Sequence, residues 1–164
     1  MSGFALEEFR GAQLAPRTET IPVPELAAWF HDAPAAWVVR GLTGAELARA
    51  AEASSRVAMI STAVEALASS AAAKGDQVEA MRGLLGIGDD TPPELVKKQD
   101  YLIAGSVSPA IDRDIAVRLF QSFPVVAFQL TNKITELTGL GAEPGKAPHS
   151  TPTEPSESPS PSAI

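Results

Sequence analysis

The chain has 164 residues and a formal net charge of −7, with 20 acidic residues against 13 basic ones, and it contains no cysteine. The length is typical of one domain. The negative charge argues against binding nucleic acid or an anionic membrane through a general electrostatic field. The missing cysteines exclude disulfides and thiolate metal sites. No apolar run approaches the roughly 20 residues that span a bilayer, so the sequence predicts no transmembrane helix.

Residues 1–20 are interpreted as flexible, because the apolar patch of Phe4, Leu6 and Phe9 lies beside Glu7 and Glu8. They lack the basic start and apolar run of a secretory signal. From Thr20 the prolines favour an extended chain, and Pro24 then opens a short helix. The segment Pro34–Arg40 contains Trp and two valines and predicts a strand, at most an edge strand or a hairpin partner.

Three helix starts follow in the middle of the chain. Thr43 and Glu46 have the spacing of a capping box, which predicts a helix from Thr43 to about Ala73. The apolar stripe of that helix is interrupted at Ser54 and otherwise consists of Leu47, Ala50, Val57, Ile60, Val64 and Leu67. A stripe of this kind suits an intramolecular helical hairpin or a helix that pairs with another chain. Asp76 with Glu79 predicts a second, short helix, and residues 91–94, Thr-Pro-Pro-Glu, predict a third that ends at Gly105.

The largest apolar concentration lies between Ser108 and Gly139. Ser108-Pro109 predicts a helix start, with an apolar stripe of Ile111, Ile115 and Leu119 that Phe120 and Phe123 widen. Pro124 should break this helix, because proline removes a backbone donor. A second helix should follow, with a stripe of Val126, Leu130, Ile134 and Leu137 and a left-handed stop at Gly139.

The C-terminal residues have a different composition. Of the 22 residues from Glu143 to Ile164, 13 are Pro, Ser or Thr. Such a segment has too little apolar surface to offset the entropy lost on ordering, so residues 142–164 are predicted to be a disordered tail. The sequence therefore predicts a mainly α protein. It would have a small helical domain of about five helices over residues 21–141, a short extended N-terminal segment and the tail.

The candidate binding residues are aromatic. Trp29, Phe30 and Trp37 lie within nine residues of one another. Phe128 lies on the last helix but outside its predicted apolar stripe. Trp is over-represented at interface hot spots, which favours a partner-binding patch. The alternative is a packed cluster that caps the helical domain, which is the commoner role of such residues.

The sequence offers no catalytic, cofactor-binding or metal-binding constellation. The two histidines, His31 and His149, are far apart, and no nucleophile motif or spaced ligand set is present. The expectation is a non-enzymatic protein without a cofactor. A small enzyme stays a distant alternative, because carboxylates far apart in sequence can converge in space.

Three blocks of the sequence resemble a known family. They are ELAAWF…PAAWVVRGLTGAELARAAEA (Glu25 to Ala53), LIAGSVSPAIDRDIAVRL and FPVVAFQLTNKITELTG. Within them the most suggestive points are Leu42-Thr43-Gly44-x-Glu46-Leu47, Gly105-x-Val107 and Leu137-Thr138-Gly139. Over roughly residues 21–141 the chain resembles a tail assembly chaperone of long-tailed, siphovirus-like bacteriophages and prophages.

The resemblance implies a helical protein made in the cytoplasm of the infected host cell and absent from the mature virion. It would bind the tail tape-measure protein during tail morphogenesis. Binding to tail tube subunits and self-association are further options, and binding to nucleic acid or membrane is not expected. The alternative is a virion structural protein of the phage tail or neck, which would stay in the particle.

Overall fold

The computed structural model describes residues 3–69, 75–84 and 91–145, and within them the protein is mainly helical with short strands. The α-helices are α1 (Leu6–Gly11), α2 (Gly44–Ala68), α3 (Gly75–Leu84), α4 (Pro93–Gly105), α5 (Arg113–Ser122) and α6 (Pro124–Gly139), with one 3₁₀ helix at Pro24–Trp29. The strands are β1 (Leu14–Pro16), β2 (Thr18–Pro22), β3 (Ala36–Arg40), β4 (Ser106–Ser108) and β5 (Ala142–Pro144). The predicted fold class is confirmed as mainly α. The prediction was about five helices over residues 21–141, and the described residues of that range form the 3₁₀ helix and five α-helices, while α1 precedes it.

The chain divides into two units, of which the smaller joins the two ends of the described chain. It comprises Met1–Ala15 with Pro144–Ile164, and its described residues are 3–15 and 144–145. Strands β1 and β5 pair in a two-stranded sheet, and the Gly145 amide donates to the Gln13 carbonyl oxygen at 2.6 Å. The predicted tail began at residue 142, but residues 142–144 form β5. The rest of the predicted tail, residues 146–164, lies outside the described residues.

The larger unit, Pro16–Glu143, contains a three-stranded antiparallel sheet in the order β2-β3-β4. Strand β3 confirms the predicted strand, but it is the central strand and not an edge. Its register with β2 pairs Ile21 with Trp37, and both side chains are buried. The predicted domain boundary between residues 20 and 21 falls inside β2, so the helical domain does not begin there. A strand forms because its partner supplies the ladder hydrogen bonds that local sequence does not reveal.

Helix α2 begins at the predicted capping box. The Thr43 hydroxyl accepts from the Glu46 amide at 3.3 Å, and the Glu46 carboxylate accepts from the Thr43 amide at 2.8 Å. Ser54, expected to interrupt the apolar stripe, is buried, and its hydroxyl donates to the Pro93 carbonyl oxygen at 2.9 Å. The serine therefore links α2 to the first turn of α4. The helix ends at Ala68, and residues 70–73 of the predicted helix lie outside the described residues.

The predicted starts of α4 and α5 were partly wrong. Helix α4 begins with Pro93 and has no side-chain cap, so Thr91 does not close a capping box. Helix α5 does not start at Ser108, which belongs to β4. Its cap is Asp112, whose carboxylate accepts from the Ile115 amide at 3.0 Å. An aspartate cap satisfies a first-turn N–H as well as serine does. Ser108 cannot act as the cap because it belongs to strand β4.

The predicted break at Pro124 is confirmed, since α5 ends at Ser122 and α6 begins with the proline. All four residues of the predicted α6 stripe are buried: Val126, Leu130, Ile134 and Leu137. On α5 the prediction for Ile115 was wrong, since its side chain is 46% exposed. The residues of α5 that face the core are Leu119 and Phe120, as predicted, together with Ala116. The left-handed residue after α6 is Gly141, with φ of 72°, and not Gly139.

One face of α6 forms the centre of the core. The buried apolar residues that surround it come from the sheet, the 3₁₀ helix, α4, α5 and the segments beside the strands: Ile21, Val23, Leu26, Trp37, Val39, Leu42, Leu102, Ala116, Leu119 and Phe120. Two glycines allow other elements to approach α6 closely. A Cβ on Gly105 would lie 2.5 Å from Ile134 Cδ1, and a Cβ on Gly41 would lie 3.1 Å from the Leu137 backbone.

Truncation of Leu130 to Ala should lower the free energy of unfolding by roughly 2–5 kcal/mol, and Leu119→Ala should act in the same direction. Leu130 is fully buried and Leu119 is 7% exposed. The matched control is Val125→Ala on the outer side of α6, where the side chain is 76% exposed and the change should stay within about 0.5 kcal/mol. Urea unfolding measures all three. Losses below about 0.5 kcal/mol for both leucines would contradict this core.

Gly105→Ala should destabilise the protein by about 1–3 kcal/mol, although alanine is the better helix former, because its Cβ would overlap Ile134. Gly139→Ala is the control: Gly139 is also helical, and nothing lies within 4 Å of its would-be Cβ. That substitution should be neutral or stabilising.

In the background of Ile134→Val, which removes the nearest atom, the cost of Gly105→Ala should fall. A double-mutant cycle on urea midpoints measures this coupling. Equal costs of Gly105→Ala in both backgrounds would show that the close approach does not limit the packing of α4 on α6.

Candidate partner-binding surface

Of the four aromatic residues predicted to bind a partner, Trp37 lies in the core. Its side chain is 4% exposed, and the indole Nε1 donates to the Ser106 hydroxyl at 3.0 Å. The hydrogen bond satisfies the polar atom of the ring and joins β3 to β4. Trp37 is therefore a packing residue, and its place in an exposed patch is corrected. Burial follows from strand alternation, which turns Trp37 and Val39 towards the helices.

The 3₁₀ helix positions the next two aromatics differently. Phe30 is half-buried and packs against the core. Trp29 is 63% exposed, and its ring meets that of Phe123 edge-on, with centroids 5.4 Å apart. Since Phe123 directly precedes Pro124, the exposed indole is held beside the start of α6.

Phe128 lies on the outer side of α6, which we call the α6 face. This face is a shallow depression of about 550 Å³. Its lining residues repeat at helical spacing: Pro124, Val125, Phe128, Gln129, Asn132, Lys133 and Glu136. Phe128 is 39% exposed, because one edge of its ring packs against Phe120 at 5.4 Å between centroids.

Val125 is the most exposed large apolar residue on α6, at 76%, and it was not singled out from the sequence. The available signal was its position. It falls between the stripe residues of α6, so an apolar side chain there cannot join the core. Trp29, Val125 and Phe128 together place three exposed apolar groups at or beside the first turns of one helix. Exposed apolar groups that gather in this way are typical of interaction sites.

Two lysines border the α6 face with different surroundings. The Lys133 ammonium lies 2.9 Å from Glu136 and 3.4 Å from Glu19, and the hydrogen bond that it donates to Glu136 is the main reason that its pKa is raised. The Lys98 ammonium lies 5.6 Å from the centre of the Phe128 ring, a cation–π geometry. Within the described part of the chain, Lys98 makes no ion pair within 4 Å.

The largest pKa perturbation among the described residues has a structural explanation. Hydrogen bonds from Arg40, at 2.6 and 3.1 Å, and from the Thr43 amide lower the pKa of Glu46 from 4.5 to about 2. One carboxylate thus caps α2 and binds the end of β3. Perturbed groups of this kind can mark active sites. Here the partners are a helix cap and a strand end, and the described residues contain no group of three or more metal-ligating side chains.

Protonation of Glu46 should lower the stability of the protein in acid. Because its folded pKa lies below the ordinary value, its contribution is present above about pH 4.5 and is lost as the pH falls towards 2. Glu46→Gln should therefore cost about 1.5–3 kcal/mol near neutral pH, the usual worth of hydrogen bonds to a charged group. The difference from the unsubstituted protein should shrink through that acidic window.

The control is Glu52→Gln, which removes an exposed pair with Arg56 and should cost less than about 1 kcal/mol at any pH. Urea unfolding at a series of pH values measures both. A difference for Glu46→Gln that stays constant from neutral to acidic pH would contradict the assignment.

Comparison of the chain with protein-family models, with curated proteins and with solved structures found no match. Within the described residues, no helix is both long and apolar enough to cross a membrane. Among the described residues, the α6 face and Trp29, which lies beside the start of α6, present exposed apolar side chains to a partner.

Proposed function

We propose that this protein is a non-enzymatic tail assembly chaperone of a long-tailed bacteriophage or prophage, which binds the tape-measure protein while the tail is built. The observation that carries the proposal is the exposed apolar surface of Trp29, Val125 and Phe128. It is supported by the resemblance of the sequence blocks, two of which contain these three residues.

The physical task of such a chaperone explains why this surface would be used. A tape-measure protein is long and helical, and its apolar stripes would associate with one another if left free. A helix is commonly bound when its apolar side chains enter a groove or depression lined by apolar groups. The α6 face provides such a depression, with Val125 and Phe128 as its apolar residues. The net charge of −7 would help to keep the complex soluble.

The same surface would also serve the alternative, a structural protein of the phage tail or neck. A chaperone leaves its client before the particle is complete, whereas a structural protein remains bound. Mass spectrometry of purified particles distinguishes the two: the chaperone proposal expects the protein in the lysate of infected cells and not in the particles. Stoichiometric amounts in the particles would favour the structural role.

Binding should depend on apolar contact rather than on exposed ion pairs. Co-expression with the tape-measure protein of the same genome, followed by pull-down, should recover a complex that survives salt of about 0.5 M, where exposed charges are strongly screened. Val125→Asp and Trp29→Asp should each abolish recovery, because they place a charge in the apolar contact. Phe128→Asp should do the same, provided that its circular dichroism spectrum shows a folded protein.

Met59→Asp is the matched control for this experiment. Met59 is an apolar side chain on α2 that is 74% exposed and does not line the α6 face, so the complex should be retained. A complex that dissociates at moderate salt, yet tolerates the substitutions at Val125 and Trp29, would contradict the proposed mode of binding.

A further inference from the structure

The N-terminal residues 4–9 form a second exposed apolar surface, which we call the N-terminal segment. Its three large apolar side chains are 71%, 64% and 55% exposed in Phe4, Leu6 and Phe9, respectively. The rings of Phe4 and Phe9 lie 5.3 Å apart, so they pack on each other while their outer surfaces stay in water. A paired aromatic anchor of this kind loses little side-chain freedom on binding.

The charges of the N-terminal segment are acidic. Glu7 is paired with Arg10 at 2.9 Å, whereas Glu8 makes no ion pair within 4 Å among the described residues. The segment therefore offers two phenyl rings, a leucine and one available carboxylate within six residues.

The α6 face has the complementary set. Val125 and Phe128 supply the apolar groups, and Lys98 supplies an ammonium group beside Phe128. Lys133 already has two carboxylates within 4 Å, so Lys98 is the cation with capacity for an incoming acid.

We propose that, when no other partner is bound, this face is occupied by the N-terminal segment of a second copy of the chain, with Phe4 and Phe9 against Val125 and Phe128 and with Glu8 near Lys98. Each copy carries one segment and one face, so two copies associate through this contact. The small contact area and the repulsion between two chains of net charge −7 make this dimer weak and dependent on concentration.

Sedimentation velocity of the full chain over a range of concentrations tests the proposal. The sedimentation coefficient should rise with concentration from that of a monomer to that of a dimer. Phe4→Ser combined with Phe9→Ser removes the anchor, and Val125→Asp blocks the face; each should raise the dissociation constant by about tenfold or more. These residues are exposed, so the fold should be unaffected.

Mixing the two variants provides the decisive arm. The first variant has an intact face and the second an intact segment, so an equimolar mixture should form a heterodimer at concentrations at which neither variant alone dimerises. A chain that stays monomeric at every concentration overturns the proposal. A dimer that survives both sets of substitutions also overturns it, because another surface must then hold the copies together.

Exchanging the charges of Lys98 and Glu8 tests whether these two residues pair in the dimer. Lys98→Glu should weaken the dimer, and adding Glu8→Lys to the same chain should restore it, while Met59→Asp should leave it unchanged. Failure of the second change to rescue the first overturns the pairing of Glu8 with Lys98. The measurement uses this chain alone, so its outcome does not depend on whether the protein serves a phage tail.

Discussion

The close approach of α4 to α6 at Gly105 and Ile134 is the constraint on which the core of the larger unit depends. Fully buried residues lie along α6 from Ala127 to Ile134, and α4, α5 and the sheet pack around them. The segment that follows β3 is tied to the same helix, because the Leu42 amide donates to the Thr138 hydroxyl at 2.9 Å. With so many neighbours on one side, α6 cannot rotate or shift without disturbing these elements.

The same constraint determines what α6 presents to solvent. Because its inner side is fixed by packing, Val125 and Phe128 are held on the outer side, at the end of the helix that Pro124 begins. The break at Pro124 also leaves Phe123 beside Trp29. A surface supported by a buried helix is more rigid than one built on a loop, and rigid apolar anchors lose less entropy on binding. The core therefore defines the surface that we propose for binding.

Much of this could be predicted from the sequence, wherever local chemistry decides the structure. The capping box at Thr43, the break at Pro124 and the buried stripe of α6 follow from side chains within a few residues of one another. The predictions that failed concern residues whose structure depends on partners far away in the sequence. Ser108 becomes part of a strand because β3 pairs with it, and Trp37 enters the core because Ser106 satisfies its ring nitrogen. Trp29 could be predicted as a binding residue from its residue type. The exposure of Val125 could be recognised only from the orientation of α6.

The most direct test of the account is native-state hydrogen exchange, read residue by residue on the full chain. If α6 is the element on which the core depends, the amides from Ala127 to Leu137 should exchange only through global unfolding, with an opening free energy equal to that from urea denaturation. The amides of the second half of α2, where Val64 is the one buried residue among positions 57–68, should open at lower free energy. Faster exchange in α6 than in that part of α2 would contradict the account.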